Sequence, residues 1–237
     1  MAGLGLIHYN PGLPHQCDHA GAFQAAGFDI TTDPREEHPG IHVVSGPHYA
    51  FKHWVGEPNV LMIDRAWWGD PDFVSLGWLQ SDGSRTFAEP AAKQPSRSYP
   101  EPQLWKTREQ SALVLADFGQ DVCDIVSKAK SRFHYVRVRY HPADPRGRNQ
   151  TSLESALAVS DVAIGSASSA LVEAVLQGVP VICLDPDNVV APVAGSSLDG
   201  KLYRGPVSQW LREMAFKQFS LEEIASGVAG EALWDDI

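Results

Sequence analysis

Short apolar runs alternate along the chain with stretches whose apolar residues recur at helical spacing. GLGLIHYN reads as a buried strand, followed by the loop PGLPHQCD. Residues 19–27 suit a helix, with Asp18 as its N-cap and Gly27 as its stop. A second strand at 28–32 gives the strand-helix-strand order of a parallel sheet. IHVVSGPHYAFKHW repeats that plan around a tight Ser45-Gly46-Pro47 turn. NVLMID and FVSLGWL are two further strands. Residues 84–102 then lose apolar character and carry Pro90, Pro95, Pro100 and Pro102, the composition of a linker or loop. A new series follows. SALVLADFG is a strand entering a turn at Gly119, and residues 121–129 are amphipathic. YVRVRYHP alternates Val136 and Val138 with Arg137 and Arg139. A helix at 152–160, the strand DVAIGS, the helix SSALVEAVLQGVP and the strand VICLD come next. Helices at 209–216 and 221–229 close the chain. The pattern predicts an α/β fold of two Rossmann-like parallel-sheet domains facing a cleft. The division expected is 1–103 and 104–237, with the terminal helices, carrying Trp210 and Trp234, packing back toward the first domain.

Composition narrows the class. The chain has 237 residues and is 43% hydrophobic, enough to bury a core. No apolar run approaches the roughly 18 residues that span a bilayer, so no membrane partner is expected. The N-terminal stretch lacks a basic n-region and reads as a strand, not a signal peptide. Cys17, Cys123 and Cys183 are odd in number and form no CxxC or Cys/His pattern, which fits a reducing cytoplasm. Net charge is −10 but uneven. Residues 104–148 hold nine Lys/Arg against five Asp/Glu, whereas residues 149–237 hold four against twelve. A basic segment in an acidic chain marks either a phosphate site or a solvated helix face.

The segment richest in chemistry runs from Asp161 to Ala174. An apolar strand ends in Ser166-Ala167-Ser168-Ser169, and a helix begins at once. Small side chains let a ligand approach the backbone, and the first turn of a helix offers unpaired N–H groups. Ser168 and Ser169 add hydroxyls suited to a diphosphate, and Glu173, about one turn on, suits two hydroxyls of a ribose. The bland alternative is an N-cap serine pair with Glu173 on a solvated face.

Taken with Gly178-Val179-Pro180 and the upstream Arg139-Tyr140-His141-Pro142, this segment resembles the C-terminal domain of GT-B glycosyltransferases and of related glycerophosphate and polysaccharide transferases. The resemblance covers roughly the last hundred residues. It implies that Ser166, Ser168, Ser169 and Glu173 hold a nucleotide-sugar donor of the UDP-glucose kind, with Arg139 and His141 nearby. The serine turn has no lysine or arginine of its own, so positive charge would come from Arg139, Arg146 or Arg148. In the N-terminal half, SGPHYAFKHW followed by LMIDRAWWGDPDFVSLGWL resembles small bacteriophage transferases that glycosylate 5-hydroxymethylated pyrimidines in DNA. That resemblance implies a DNA acceptor, with Trp67 and Trp68 stacking an extruded base. Packing of both tryptophans in the core is the equal alternative, and the acidic balance outside residues 128–148 opposes DNA.

Inverting transfer to a hydroxyl needs a general base within hydrogen-bond reach of the acceptor. Asp18, beside His15 in the loop after the first strand, is the first choice, His48 the second and Asp64 the third. Each has an ordinary alternative: a cap, a first-turn residue, and an ion pair with Arg65. Asp70-Pro71-Asp72 and Asp185-Pro186-Asp187 read as turns, so no metal or other cofactor is expected beyond the nucleotide sugar. Three functions fit: a glycosyltransferase acting on DNA hydroxymethylpyrimidine, glycan or small molecule; an inert nucleotide- or sugar-binding module; and a sugar-nucleotide epimerase.

Overall fold

The structure is a computed structural model describing residues 4–45, 51–68, 73–81, 85–87, 98–148 and 150–233. In chain order its elements are β1 (Gly5–His8), α1 (Pro14–Ala25), β2 (Asp29–Thr31), β3 (Ile41–Ser45), α2 (Phe51–Trp54), β4 (Val60–Arg65), β5 (Phe73–Leu79), β6 (Arg85–Thr86), β7 (Ser111–Ala116), α3 (Cys123–Arg132), β8 (Tyr135–Tyr140), α4 (Leu153–Ala158), β9 (Val162–Gly165), α5 (Ala170–Leu176), β10 (Val181–Cys183), α6 (Ser208–Ala215), β11 (Gln218–Ser220), α7 (Leu221–Ala225) and α8 (Val228–Leu233). They form two compact units, Met1–Ser98 with Glu213–Ile237, and Tyr99–Arg212. The terminal helices, assigned to 104–237 but expected to pack back toward the first domain, belong to the first unit from Glu213 onward, and α6 crosses the boundary.

The first unit is built on one sheet of order β11-β5-β4-β3-β1-β2, with β6 paired to β5. β1 to β4 are parallel, whereas β5, β6 and β11 are antiparallel additions, so this sheet is mixed and not purely parallel as predicted. Strand alternation divides the apolar residues between two faces. Ile7, Val43, Leu61, Ile63, Val74 and Leu76 pack with Phe23 of α1 and Ile224 of α7. Val44, Val60, Met62 and Leu79 pack with Trp54 of α2 on the other face. Burying a ring such as Phe23 contributes about 2 kcal/mol.

α1 starts earlier than the sequence reading placed it. Pro14 opens the helix, where its fixed φ is already helical and its missing N–H would have had no partner. Leu13 is the N-cap, so Asp18 lies inside the helix and caps nothing. The stop is as read: Gly27 has φ +98, the left-handed backbone that glycine adopts freely. The helix expected over 221–229 is divided between α7 and α8 at Gly227, φ +83.

The second unit is a four-stranded parallel sheet of order β10-β9-β7-β8. Ala112, Val114, Val162, Ile164 and Ile182 face one side, where Ala129 of α3 and Phe133, its C-cap, cover them. Leu113, Leu115, Ala163 and Val181 are buried on the alternate face. Burial on both faces explains why these strands read as unbroken apolar runs. Segment 99–110 is stitched to the end of α5 and the turn that follows it. Gln103 N–H donates to Leu176 O at 2.9 Å and Lys106 N–H to Gly178 O at 2.7 Å. Gly178 has φ +65, and a Cβ there would lie 2.2 Å from Leu104 O, which no other residue could tolerate.

Candidate functional site

In the second unit β7 runs to β8 on one side, while β9 lies on its other side. The chain order reverses between β7 and β9, and ligands of open α/β sheets bind at the carboxyl ends of such strands. The loops leaving β7, β8, β9 and β10 carry Asp117, His141, Ser166 to Ser169 and Asp185. The structure brings these residues to one sheet edge.

Asp117 was not singled out in the sequence. It directly follows the buried run Ala112 to Ala116, and its half-buried carboxylate accepts from Ala167 N–H, inside the serine turn, at 3.2 Å. Burial pushes its carboxyl above the ordinary aspartate value and Asp185 adds to this, while the Ala167 N–H and His141 oppose it. Phe118 stands beside His141, ring centroids 6.2 Å apart and edge to face. His141 is exposed, and its Nδ1 accepts from Ala143 N–H at 3.1 Å. An apolar run that stops on an aspartate was the available signal for Asp117.

Two side chains fix the loops that hold these groups. Asp144, buried after β8, accepts from Gly119 N–H at 3.2 Å and from Arg146 Nη2 at 2.7 Å. The Arg146 guanidinium holds the Asp144 carboxyl well below the usual carboxylate range. On the other side Asn188 Nδ2 donates to Ser166 O at 2.8 Å. The Cys183 thiol is pushed up by burial and lies 3.6 Å from the same carbonyl, an inert packing cysteine.

The predicted donor residues divide in their surroundings. Ser166 and Ser168 are half-buried, and Ser168 Oγ accepts from Ala170 N–H at 3.4 Å. Ser169 is the N-cap of α5 but makes no side-chain cap bond. Glu173 is half-buried on the first turn of α5, where Gln177 Nε2 donates to its Oε1 at 3.2 Å. Arg139 lies at the end of β8, but its guanidinium donates to Thr151 O. Arg146 is paired with Asp144 and lies 4.3 Å from the Tyr140 ring, and Arg148 is exposed. Asp161, the acidic residue of the resemblance, is at the opposite sheet edge, before β9. It accepts from Ser111 N–H at 2.9 Å and Ser111 Oγ at 3.0 Å. Burial pushes its carboxyl up, but the Ser111 and Gln110 donors outweigh this and hold it below the usual range.

In the first unit Asp18 is exposed on α1, one residue before buried His19. His19 Nδ1 has no hydrogen-bond partner, and its ring lies 5.8 Å from that of His15. Burial lowers the His19 pKa to about 4, His15 adding to the shift and Asp18 opposing it. Asp64 is half-buried near the end of β4, and its carbonyl is 3.5 Å from Ser75 Oγ. His48 lies outside the described residues. Trp67 is half-buried, its ring 5.3 Å from Phe87 and its backbone N–H donating to Gln218 Oε1 at 2.8 Å. Trp68 is half-buried too. Among the described residues no group of His, Cys, Asp and Glu is arranged to hold a metal ion, and no helix is long and apolar enough to cross a membrane.

The basic segment is largely consumed by the fold. Lys106 Nζ donates to Leu157 O, Ala158 O and Ser160 O at 2.8–2.9 Å. Arg132 donates to Leu198 O, Gly200 O and Glu109, and Arg137 to Val159 O and Ser160 Oγ. Lys128 and Lys130 are exposed on α3.

The architecture is α/β, with two sheet-based units of the GT-B-like kind. It is similar to that of Thermosulfurimonas dismutans KpsC, a beta Kdo 2,7 transferase, with TM-score 0.50, 11% sequence identity, and coverage of 96% of this chain and 98% of that chain. At that identity the likeness shows the fold. No protein-family model matches the chain, and no curated protein matches it in sequence.

Proposed function

We propose that the chain is a nucleotide-sugar-dependent glycosyltransferase whose second unit holds the donor. The observation that carries this reading is the serine turn at the β7–β9 switch point, held by Asn188 and Asp117, with His141 on the next loop and Asp144 bracing the loop that follows Asp117. The likeness in fold to a Kdo transferase supports it. Backbone N–H groups and hydroxyls of Ser166, Ser168 and Ser169 receive the donor phosphate, with His141 beside them. Glu173 accepts the ribose hydroxyls. Transfer breaks the bond between the anomeric carbon and the phosphate oxygen, whose electron pair leaves with the nucleotide. The acceptor oxygen forms the new bond, and its proton passes to a base. Asp18, an exposed carboxylate, is our first choice for that base, then His48, then Asp64.

The acceptor is the finer question. Arg132 and Arg146 are paired with carboxylates, and Lys106, Arg137 and Arg139 donate to oxygens of the unit itself, so five of the nine cations of residues 104–148 are engaged by the fold and not aimed outward at a DNA backbone. Trp67 is engaged by Phe87. Both observations favour a glycan hydroxyl over 5-hydroxymethylcytosine in DNA. The test incubates the chain with UDP-glucose or an activated Kdo, and with hydroxymethylcytosine DNA or an oligosaccharide, then weighs the products. One added sugar mass identifies donor and acceptor together. Donor binding without transfer to any acceptor returns the chain to a binding module.

A further inference from the structure

A second cluster of titratable groups lies in the first unit, built from residues to which no role is assigned above. Two imidazoles stand in series between two backbone carbonyls. His8 Nδ1 is 2.9 Å from Asp33 O, His8 Nε2 is 3.0 Å from His42 Nδ1, and His42 Nε2 is 3.0 Å from His38 O. Both rings are buried, His8 at 4% and His42 at 6% exposure. They stack with centroids 5.3 Å apart, and the Trp54 ring covers His42 at 3.9 Å.

The hydrogen count of this series is decisive. Carbonyl oxygens only accept, so three contacts require three ring hydrogens. Two neutral imidazoles carry two. The neutral pair has an alternative, because His38 N–H lies 3.4 Å from His42 Nε2 and donates to it when that nitrogen is bare. One added proton fills all three contacts and turns His42 Nε2 into a donor to His38 O. A second proton would set two N–H groups against each other across 3.0 Å.

We propose that His8 and His42 form a proton-sharing pair that takes up one proton and not two, and that this uptake resets the loop between β2 and β3. That loop is held by the same rings. Besides the Asp33 and His38 carbonyls, Pro34 O accepts from Trp54 Nε1 at 3.0 Å, and Thr31 Oγ1 donates to Glu36. The switch is therefore the exchange of one His38 peptide group for the other at His42 Nε2.

The groups facing the pair set where it titrates. Asp33 and Glu36 face His8 and favour its charge, as the His38 carbonyl and Glu37 do for His42, while the His8 and His38 imidazoles oppose that of His42. The Asp29 carboxylate lies 3.9 Å from His38 Nε2. From α2 comes Trp54, with His53 edge-on behind it, and from β4 the apolar Val60 and Met62. The electron-rich Trp54 face favours an imidazolium. Burial outweighs the carboxylates and holds both imidazoles below their ordinary value, so uptake accompanies acidification.

The test is imidazole and backbone NMR on the full ¹⁵N-labelled chain, titrated from about pH 8 to about pH 4.5 with far-UV circular dichroism as the folding control. The expected result is one shared transition for His8 and His42, equal to one proton, with amides of residues 33–40 shifting at the same midpoint. His42→Gln should abolish the shared transition and leave those amides insensitive to pH. Independent uptake of two protons by the folded chain would overturn the proposal. So would no uptake before unfolding, or a loop that ignores the transition. The wild-type titration alone decides if the variant does not fold.

Discussion

The two sheets share a parallel core and a switch point, yet they use their polar residues in opposite ways. In the second unit Asp117, His141 and the serine turn stand at the carboxyl edge, and Asp144 and Asn188 clamp their loops. In the first unit the polar residues of β1 and β3, His8 and His42, are turned into the packing beneath Trp54 and bond each other. Antiparallel β5 and β11 extend that sheet, so only part of its edge consists of parallel strand ends. A common topology therefore does not imply a common site. The edge proposed to hold the donor is the one whose loops are braced with polar groups at the carboxyl ends of the strands.

The largest effect expected is on turnover. Asp18→Asn keeps shape and removes basicity, so turnover should fall by roughly 10²–10⁴ while donor affinity holds. Steady-state kinetics with calorimetry checks this, and unchanged turnover in Asp18→Asn, His48→Ala and Asp64→Asn alike would remove the base from the first unit.

Next is the pH dependence of the first unit. The folded His19 pKa of about 4 lies below the unfolded imidazole value, so the unfolded chain binds more protons as pH falls. Stability is full above the unfolded value and is lost as pH falls toward the folded one, by up to about 3 kcal/mol from His19. Urea unfolding across this window should show the slope, and His19→Phe should flatten it.

In the second unit Lys106→Met should destabilise by about 2 kcal/mol, because three carbonyls lose a charged donor. Thermal unfolding measures it. Glu173→Ala should weaken donor binding by roughly 1–3 kcal/mol at similar stability. An unaltered donor affinity would leave Glu173 as a partner of Gln177. The smallest effect is Asp117→Asn. Burial disfavours the Asp117 charge, so the amide should raise the melting temperature slightly at neutral pH, an advantage that shrinks as acid protonates the wild-type carboxyl.

How much of this was legible in the sequence depended on whether a signal was local. Strand runs such as Ala112 to Ala116 and the helix stop at Gly27 follow from neighbouring residues, and they were readable. The serine turn was also readable, because small residues between a strand and a helix are contiguous. The partners of cations were not. Lys106, Arg132 and Arg137 look like a basic patch until the fold brings carbonyls from Leu157, Leu198 and Val159 to them. The bonds of Asp161 were hidden for the same reason, since only the pairing of β7 with β9 brings Ser111 to it. The His8–His42 pair joins residues on neighbouring strands with no shared motif, and strand register alone places them together.

The central claim is that the braced edge of the second unit binds a sugar nucleotide for transfer. The most direct measurement follows nucleotide release from an activated sugar with and without acceptor, together with the mass of the acceptor. The expected result is release that depends on the acceptor, an acceptor heavier by one sugar, and loss of both in Glu173→Ala at subsaturating donor. Binding of the nucleotide sugar with no acceptor-dependent release, across glycan and hydroxymethylated DNA acceptors alike, would contradict it.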